Sequence, residues 1–556
     1  MYTITFKIEN GSDIKVRAQK GDNILDLARS AGIAVDAPCS GSGTCGKCRL
    51  KLISGDVDMN RSPRLSKDDY HDMWRLACQS RVSGDAVFFV PADRSSFKSG
   101  IRTADLSGDE ELCRYKKQIS GIFDAGIQTG CNEAGVGIAV DIGTTTVTAA
   151  LLNLSTGEVL AKGSLGNGQI IYGADVINRI IQSAKPGGRE KLRSAVTDDT
   201  INPIFDRMLK DAGLVRDDIH RIVIAGNTTM EHLFTGADAQ SIRLEPFVPE
   251  FLELEGKTAG DLGLNSPSDT PVILAPNVGS YVGGDITAGI LAAGIWNTED
   301  ITLFIDLGTN GELVLGSREY MLCCACSAGP AFEGGDISCG MRATNGAIEG
   351  VHINEDTLEP ELEIIGGAKP VGICGSGIID TVSELFRCGV ISSKGRFVRE
   401  SPRIKYDEYG GASYILVFAQ ESGTGHNIEI DESDLDNFIR AKAAIFSAVR
   451  TMLKAIGMEI SDISRIILAG GIGSGIDIEK AISIGMLPKV SLERYDYIGN
   501  SSLTGACAML LSEKAKEKVF EIGRNMTYIE LSTEPGYMDE FVAACFLPHT
   551  DSSLFT

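Results

Sequence analysis

The chain has 556 residues, so we expect several folding units rather than one. Hydrophobic residues make up 43% of the chain and charged residues 23%, which is ordinary for a globular protein with a large core. The net charge of −23 argues against binding to nucleic acid or to anionic membrane surfaces, because both require a basic face.

The first residues, MYTITFKIEN, have no basic region followed by an apolar one, as a secretory signal would. No apolar run reaches the length of about 18 residues that a membrane span needs. We therefore expect a cytoplasmic protein without a membrane partner. Fourteen cysteines in a reducing compartment are not a disulfide framework, so metal binding, redox chemistry or burial must explain them.

The N-terminal pattern predicts an α+β domain of the β-grasp type over residues 1–91. Apolar and polar residues alternate from Tyr2 to Ile8, which is typical of a half-buried strand. A second strand pattern follows at 14–16, helical spacing at 24–31, and a short apolar strand at 86–90.

Four cysteines in this domain have the spacing of iron–sulfur ligands: Cys39-x5-Cys45-x2-Cys48, and then Cys78. The glycine-rich loop between the first three lets backbone N–H groups approach inorganic sulfides closely. The set predicts a [2Fe–2S] cluster of the plant ferredoxin type, although plant-type ferredoxins have x4 in the first gap. A zinc site is disfavoured because no second cysteine or histidine pair lies near Cys78, and His71 is interpreted as a surface residue.

After a mixed segment at 92–134, which we interpret as a linker, one pattern occurs twice. An apolar strand ending in Asp-hydrophobic-Gly-Thr stands at 137–146 and again at 303–312. An apolar strand ending in Ala-Gly stands at 221–230 and again at 465–474. The order predicts two facing α/β subdomains of like topology, over 135–300 and over 301–556 with a C-terminal extension.

Both Asp-Gly-Thr loops can bind phosphate through backbone N–H groups and hydroxyls, and their aspartates can hold hydrated Mg²⁺ or orient water. The sequence does not decide which aspartate binds Mg²⁺. No Walker-type GxxxxGK[ST] motif is present. The candidate residues are Asp141, Gly143, Thr144 and Thr145 in the first loop; Asp306, Gly308, Thr309 and Asn310 in the second; and Gly470, Gly471 and Gly473 beside the nucleoside.

Three further segments have two interpretations each. The turn GICGSG at 372–377 could bind an anion at a helix start or could allow close packing. Cys323, Cys324 and Cys326 are better interpreted as a buried strand than as a second cluster. Glu333 and Asp336 could reach the nucleotide or could serve subdomain packing.

The three loops together resemble the actin, hexokinase and heat-shock ATPase superfamily, in which nucleotide binds between two ribonuclease H-like subdomains. Together with the ferredoxin-like part, the chain resembles the ATP-dependent reductive activators of corrinoid proteins. The likeness includes AGNTTM at 225–230, APNVGSYVGGD at 275–285, SAGPAFEGG at 327–335 and FLPHTD at 546–551, and the x5 gap matches activators of ether-cleaving methyltransferases.

The resemblance implies reduction of Co(II) to Co(I) in the corrinoid protein of a methyltransferase system, driven by ATP. It implies a [2Fe–2S] cluster, ATP and Mg²⁺ as cofactors, a low-potential electron donor, and a homodimer as one plausible assembly. The corrinoid belongs to the partner, because none of the six histidines stands in the Asp-x-His-x-x-Gly context of a corrinoid-binding domain.

Two other functions stay open at this point. One is a nucleotide-gated redox sensor that binds ATP without turnover. The other is an ATP-driven electron donor to a different low-potential enzyme, like the activators of hydroxyacyl-CoA dehydratases. Those activators carry a [4Fe–4S] cluster between subunits, and the four-cysteine ferredoxin-like domain argues against them here.

Overall fold

The structure is a computed structural model that describes most of the chain. It describes residues 1–556 with these exceptions: 10, 34, 36, 38–42, 44–45, 60–61, 63–64, 66, 92–101, 104–109, 125–134, 174, 407–409, 472–474 and 556.

The N-terminal domain is a five-stranded sheet with helices packed against it. Its elements are β1 (Tyr2–Ile8), β2 (Ile14–Ala18), α1 (Ile24–Ser30), β3 (Arg49–Met59), α2 (Lys67–His71), β4 (Trp74–Leu76) and β5 (Ser80–Val90). The strand order is β2-β1-β5-β3-β4, with β1 parallel to β5 and antiparallel to β2. In β1, Ile4 and Phe6 are fully buried and Tyr2 and Ile8 partly so, as the alternation predicts. The β-grasp prediction is confirmed.

Helix α3 (Glu110–Asp124) lies in the segment for which the sequence predicted only a linker. It packs Ile119 and Ile122 into the core of the ATPase-like part, and the Nε2 of Gln118 donates to the carbonyl of Ile498 at 2.7 Å. Strand β6 (Arg102–Thr103) pairs with the edge of the next sheet. The described part of this segment is therefore attached to the domain that follows it.

The next subdomain is a seven-stranded sheet with helices, of strand order β11-β12-β10-β7-β8-β9-β6. Its elements are β7 (Val136–Ile142), β8 (Thr146–Asn153), β9 (Val159–Gly166), α4 (Val176–Ser183), α5 (Gly188–Val196), α6 (Asn202–Ala212), β10 (Ile219–Gly226), α7 (Thr228–Thr235), α8 (Gln240–Arg243), β11 (Lys257–Thr258), α9 (Ala259–Leu262), β12 (Pro271–Leu274) and α10 (Gly284–Ala293).

The last subdomain contains a six-stranded sheet of order β23-β22-β13-β14-β15-β24 and two small three-stranded sheets. Its elements are β13 (Thr302–Leu307), β14 (Gly311–Gly316), β15 (Met321–Cys326), β16 (Ala347–Ile353), β17 (Pro360–Ile364), β18 (Gly372–Ile373), α11 (Gly375–Arg387), β19 (Ile404–Tyr406), β20 (Ala412–Val417), β21 (Ile428–Asp431), α12 (Glu432–Ala455), β22 (Arg465–Ala469), α13 (Ile478–Ser483), β23 (Tyr495–Tyr497), α14 (Ser501–Leu511), α15 (Glu513–Asn525), β24 (Met526–Tyr528) and α16 (Tyr537–Ala544).

The two large sheets share one topology, which confirms the predicted duplication. In the first, β12, β10 and β7 are parallel and β8 and β9 follow antiparallel; in the second, β23, β22 and β13 are parallel and β14 and β15 follow antiparallel. The central strands β7 and β13 are nearly continuous apolar runs, because layers of helix or sheet cover both of their faces.

A shared apolar core joins the two sheets. Helices α10 and α14 lie between them, and residues of both helices pack with side chains from β7 and β10 on one side and β13 and β22 on the other. Each central strand ends at this junction, so the loops that follow β7 and β13 face each other. Within the described residues, no helix combines the length and the apolar character that crossing a bilayer requires.

Candidate functional site

Two of the four predicted cluster ligands, Cys48 and Cys78, lie side by side. Their Sγ atoms are 3.3 Å apart, and both residues are buried. The Nδ2 of Asn23, at the start of α1, donates to the carbonyl of Cys78 at 2.8 Å and so fixes its position. Two thiols at this separation could share one iron, so the donor set fits an iron–sulfur cluster. Cys39 and Cys45 lie outside the described residues.

The first predicted phosphate loop is a tight turn between β7 and β8. The N–H of Gly143 donates to the carbonyl of Thr146 at 3.1 Å, and Asn167 Nδ2 donates to the carbonyl of Gly143 at 2.9 Å. Asn227, which caps α7, donates from Nδ2 to Thr144 Oγ1 at 3.0 Å. The loop is thus held from outside, as a preorganised phosphate site requires.

Arg179 supports the same loop from below. Its Nη2 donates to the carbonyl of Thr144 at 2.5 Å and its Nε to that of Gly173 at 2.8 Å. The side chain is fully buried, and burial lowers the pKa of Arg179 to about 9, while Asp175 and Glu333 act in the opposite direction. This guanidinium contributes positive charge directly behind a loop that would hold phosphate.

The second phosphate loop meets the first directly. The N–H of Gly308 donates to the carbonyl of Asn310 at 3.1 Å, which closes the turn between β13 and β14. The hydroxyl oxygens of Thr145 and Thr309 are 2.8 Å apart, and they donate to Glu333 Oε2 at 3.0 and 2.9 Å respectively. The structure therefore brings Thr145, Thr309 and Glu333 together at one point between the subdomains.

Four carboxyl groups lie close together at the base of the cleft between the two loops: Asp141, Asp285, Asp306 and Glu312. Burial, followed by repulsion from Asp306 and Asp141, raises the pKa of Asp285 to about 8. Burial and Asp141 raise the pKa of Asp306 to about 7. Burial, Asp285 and Asp306 also raise the pKa of Glu312 well above its ordinary value. Since each charge opposes the others, a divalent cation bound nearby would stabilise the ionised forms.

The two predicted aspartates have different surroundings. Asp141 accepts hydrogen bonds from Asn500 Nδ2 at 2.8 Å and from Ser502 Oγ at 2.9 Å, both at the start of α14. Burial raises the pKa of Asp141, and these two donors lower it. No described side chain donates a hydrogen bond to Asp306. Among the described residues, no three metal-ligating side chains converge at coordinating distance.

The predicted nucleoside loop follows β22 and contacts the second phosphate loop. Gly470 has φ +90°, and a Cβ there would lie 2.4 Å from the carbonyl oxygen of Leu307 and 2.6 Å from Asp306 Oδ1, so only glycine fits. A Cβ added to Gly471 would point into open space. Gly473 lies outside the described residues.

The minor predictions have definite outcomes. Cys323, Cys324 and Cys326 lie in β15 and are buried, with the pKa of each thiol raised by burial, so the buried-strand interpretation is confirmed. Helix α11 begins inside the 372–377 turn, at Gly375, and its first turn is buried throughout, which favours close packing over anion binding. His71 is exposed, as expected.

Sequence reasoning missed Asp285, Glu312, Arg179, Asn500 and Ser502 as members of the site. Asp285 had the clearest signal, because it follows two glycines at a helix start within the APNVGSYVGGD segment. Glu312 stands in an otherwise apolar strand, which is unusual for a carboxylate. The others carry no local signal, since only the fold brings them to the loops.

Three family models match the chain over nearly its whole length. Residues 7–83 match the 2Fe-2S iron-sulfur cluster binding domain, residues 136–298 match the RACo middle region, and residues 300–556 match the C-terminal domain of RACo, the ASKHA domain. The first match supports a [2Fe–2S] cluster in the N-terminal domain.

Similar proteins of known role are also found. The corrinoid activation enzyme RamQ of Eubacterium limosum is 35% identical over 418 residues, covering 73% of this chain and 69% of that protein. The [Co(II) methylated amine-specific corrinoid protein] reductase of Methanosarcina barkeri is 26% identical over 420 residues, covering 70% and 73%.

A solved structure extends the likeness to the full fold. The reductive activator for corrinoid, iron-sulfur protein is 37% identical, covers 100% of both chains and superposes with a TM-score of 0.70. An N-terminal ferredoxin domain, the RACo middle region and the ASKHA domain thus occur together here, in the order found in that structure. The chain belongs to the RACo family of reductive activators.

Proposed function

We propose that this protein uses ATP to drive one electron from its [2Fe–2S] cluster to a partner corrinoid protein, reducing Co(II) to Co(I). The observation that carries the proposal is the combination in one chain of a ferredoxin fold with paired thiols and two facing phosphate loops lined by hydroxyls and carboxylates. By their names, the three similar proteins are a corrinoid activation enzyme, a reductase of a Co(II) corrinoid protein and a reductive activator for corrinoid, iron-sulfur protein.

ATP and Mg²⁺ would bind in the cleft between the two large sheets. Backbone N–H groups and hydroxyls of Thr144, Thr145 and Thr309 would bind phosphate oxygens. Asp141 and Asp306 would orient the water shell of the cation and the attacking water, and Asp285 adds negative charge beside them. Gly470 and Gly471 would lie against the nucleoside, together with Gly473.

Energy coupling is needed in this proposal because a plant-type cluster has a potential of about −400 mV, and the partner's Co(II)/Co(I) couple is taken to lie lower. When bound, the cluster supplies one-electron transfer, and a separate low-potential donor must reduce the cluster again after each transfer. The two subdomains meet through Thr145 and Thr309 at the cleft between them. Nucleotide bound there would change the position of one subdomain relative to the other.

The domain limits and the assembly belong to the same proposal. We place the ferredoxin domain at 1–91 and the ATPase subdomains at 135–300 and 301–556; in the segment 92–134, predicted as a linker, β6 and α3 belong with the ATPase part. A homodimer is the proposed assembly, on family resemblance alone.

The test is anaerobic optical spectroscopy of the reduced protein mixed with a Co(II) corrinoid protein, with and without Mg-ATP. We expect a Co(I) band only with ATP. Cys48→Ser should give no Co(I) while still binding ATP, because Cys48 is a cluster ligand in this proposal. Wild-type protein that binds ATP and holds its cluster but yields no Co(I) with any corrinoid protein would favour the sensor function instead.

A further inference from the structure

The Glu333 carboxylate occupies the point where the two phosphate loops meet. Its Oε2 accepts hydrogen bonds from the hydroxyls of both Thr145 and Thr309, at 3.0 and 2.9 Å. Two hydroxyls that face each other across a nucleotide cleft would otherwise bind an oxygen of the terminal phosphate. A carboxylate oxygen is an anionic acceptor of similar kind, so Glu333 and a terminal phosphate compete for the same donors.

The segment that follows Glu333 is in contact with Lys47 of the N-terminal domain. Lys47 stands next to Cys48, a cluster ligand in the proposed function. Its Nζ donates to the carbonyl of Gly334 at 2.7 Å and to the carbonyl of Gly340 at 3.3 Å. The backbones of these two glycines touch, since a Cβ on Gly340 would lie 2.3 Å from the carbonyl oxygen of Gly334. Lys47 therefore binds a single compact pair of carbonyls.

The far side of the same segment is fixed to helix α12. Asp434 Oδ1 accepts hydrogen bonds from the N–H and the hydroxyl of Ser338 at 2.9 and 3.0 Å, and Asn437 Nδ2 donates to the carbonyl of Asp336 at 2.8 Å. A displacement of Glu333 would then be taken up at Gly334, and it would separate the Gly334 carbonyl from that of Gly340.

We propose that Glu333 and Lys47 form a switch in which the terminal phosphate of ATP displaces the Glu333 carboxylate from Thr145 and Thr309, and thereby releases Lys47 from the carbonyls of Gly334 and Gly340. The proposal rests on the proposed function in one respect, that ATP binds in this cleft. Because coupling between two sites is reciprocal, weakening the Lys47 contact must also strengthen ATP binding.

The test is isothermal titration of the cluster-loaded protein with a non-hydrolysable ATP analogue and, separately, with ADP. Glu333→Ala and Glu333→Gln should bind the ATP analogue about tenfold more tightly, because a competing anion is removed. Lys47→Met should bind it about fivefold more tightly through the coupling. Affinity for ADP, which lacks the terminal phosphate, should change in none of these variants.

The double variant separates a switch from two independent effects. Once Glu333 is replaced, the phosphate no longer displaces anything that Lys47 stabilises, so Lys47→Met/Glu333→Ala should bind the analogue like Glu333→Ala alone. Lys20→Met, which removes an exposed lysine of the same domain, is the matched control and should behave as wild type. Hydrogen exchange of residues 46–50 should rise on adding the ATP analogue to wild type, and should already be raised in Lys47→Met.

Equal affinity of wild type and Lys47→Met for the ATP analogue, with the cluster spectrum intact in both, would overturn the switch. So would additive effects in the double variant, or an unchanged or weaker affinity in both Glu333 variants. A wild-type protein that binds neither the analogue nor ADP would instead overturn the proposed function. The two failures are thus distinguishable.

Discussion

The two phosphate loops have the same position in duplicated sheets but hold their aspartates differently. Asp141 ends β7 and is fixed by Asn500 and Ser502, which come from the other half of the duplication. Asp306 ends β13, receives no hydrogen bond from a described side chain, and has its pKa raised to about 7 by burial and by Asp141. The duplication therefore produced one carboxylate of fixed orientation and one that titrates near neutral pH.

Of the substitutions that test this difference between the loops, replacing Asp306 should have the largest effect. We expect Asp306→Ala to lower ATP turnover about 1,000-fold, because the group that can accept a proton near neutral pH is lost. The measurement is phosphate release in the presence of a corrinoid protein, with the cluster spectrum unchanged. Asp217→Ala, which removes an exposed carboxylate, is the control and should turn over normally. Normal turnover by Asp306→Ala would remove the second loop from the catalytic site.

Removing the donors to Asp141 should have an intermediate effect. In Asn500→Ala or Ser502→Ala the pKa of Asp141 should rise further, because both hydrogen bonds lower it. We expect Mg-ATP to bind about tenfold more weakly at pH 7, the usual scale for a hydrogen bond to a charged group. Titration calorimetry measures this, and part of the loss should be recovered at higher pH. Unchanged affinity in both variants would show that fixing Asp141 is not what these residues do.

The hydroxyls that join the loops should contribute less. Thr145→Val and Thr309→Val should each weaken binding of an ATP analogue about fivefold, since each removes one neutral donor. The effects should be similar, because the two hydroxyls are placed alike about Glu333. Thr145→Ser keeps the hydroxyl and should bind normally. A loss confined to one loop would mean that only that loop contacts the phosphate.

The smallest effect should be on stability. The pKa of Asp306 is raised to about 7 in the folded protein, above its ordinary value in the unfolded chain. The group therefore destabilises the fold increasingly as pH rises from the unfolded pKa to the folded one, and the full cost is present above pH 7. In the absence of nucleotide and Mg²⁺, Asp306→Asn should therefore raise Tm by a few degrees at pH 8 and by less at pH 5. Asp141→Asn should gain less, because its NH2 group replaces one of the two oxygens that accept from Asn500 and Ser502. An equal gain from Asp306→Asn at both pH values would contradict the shifted pKa.

The sequence predicted most of the fold, because its patterns are local. Alternation in β1, the apolar runs of β7 and β13, and the repeated Asp-Gly-Thr loops each follow from a few neighbouring residues. The site was predicted only where its residues stand in such motifs. Asn500 contacts Asp141 although it stands 359 residues further along the chain, and Ser502 stands further still, so no local pattern could reveal them. Helix α3 was missed because its apolar residues pack on a distant helix, α14, rather than on a local partner.

The shared core between the two large sheets has a consequence for folding. Helix α14 belongs to the C-terminal half of the chain, yet it packs its buried residues against β7 and β10 of the middle region. Each half has an apolar core of its own, but the core between the sheets is buried only when both halves are present. We therefore expect residues 136–298 and 300–556 to fold cooperatively, although two separate family models match them. Two subdomains of like topology thus share a core, and a cut between them would expose that shared core.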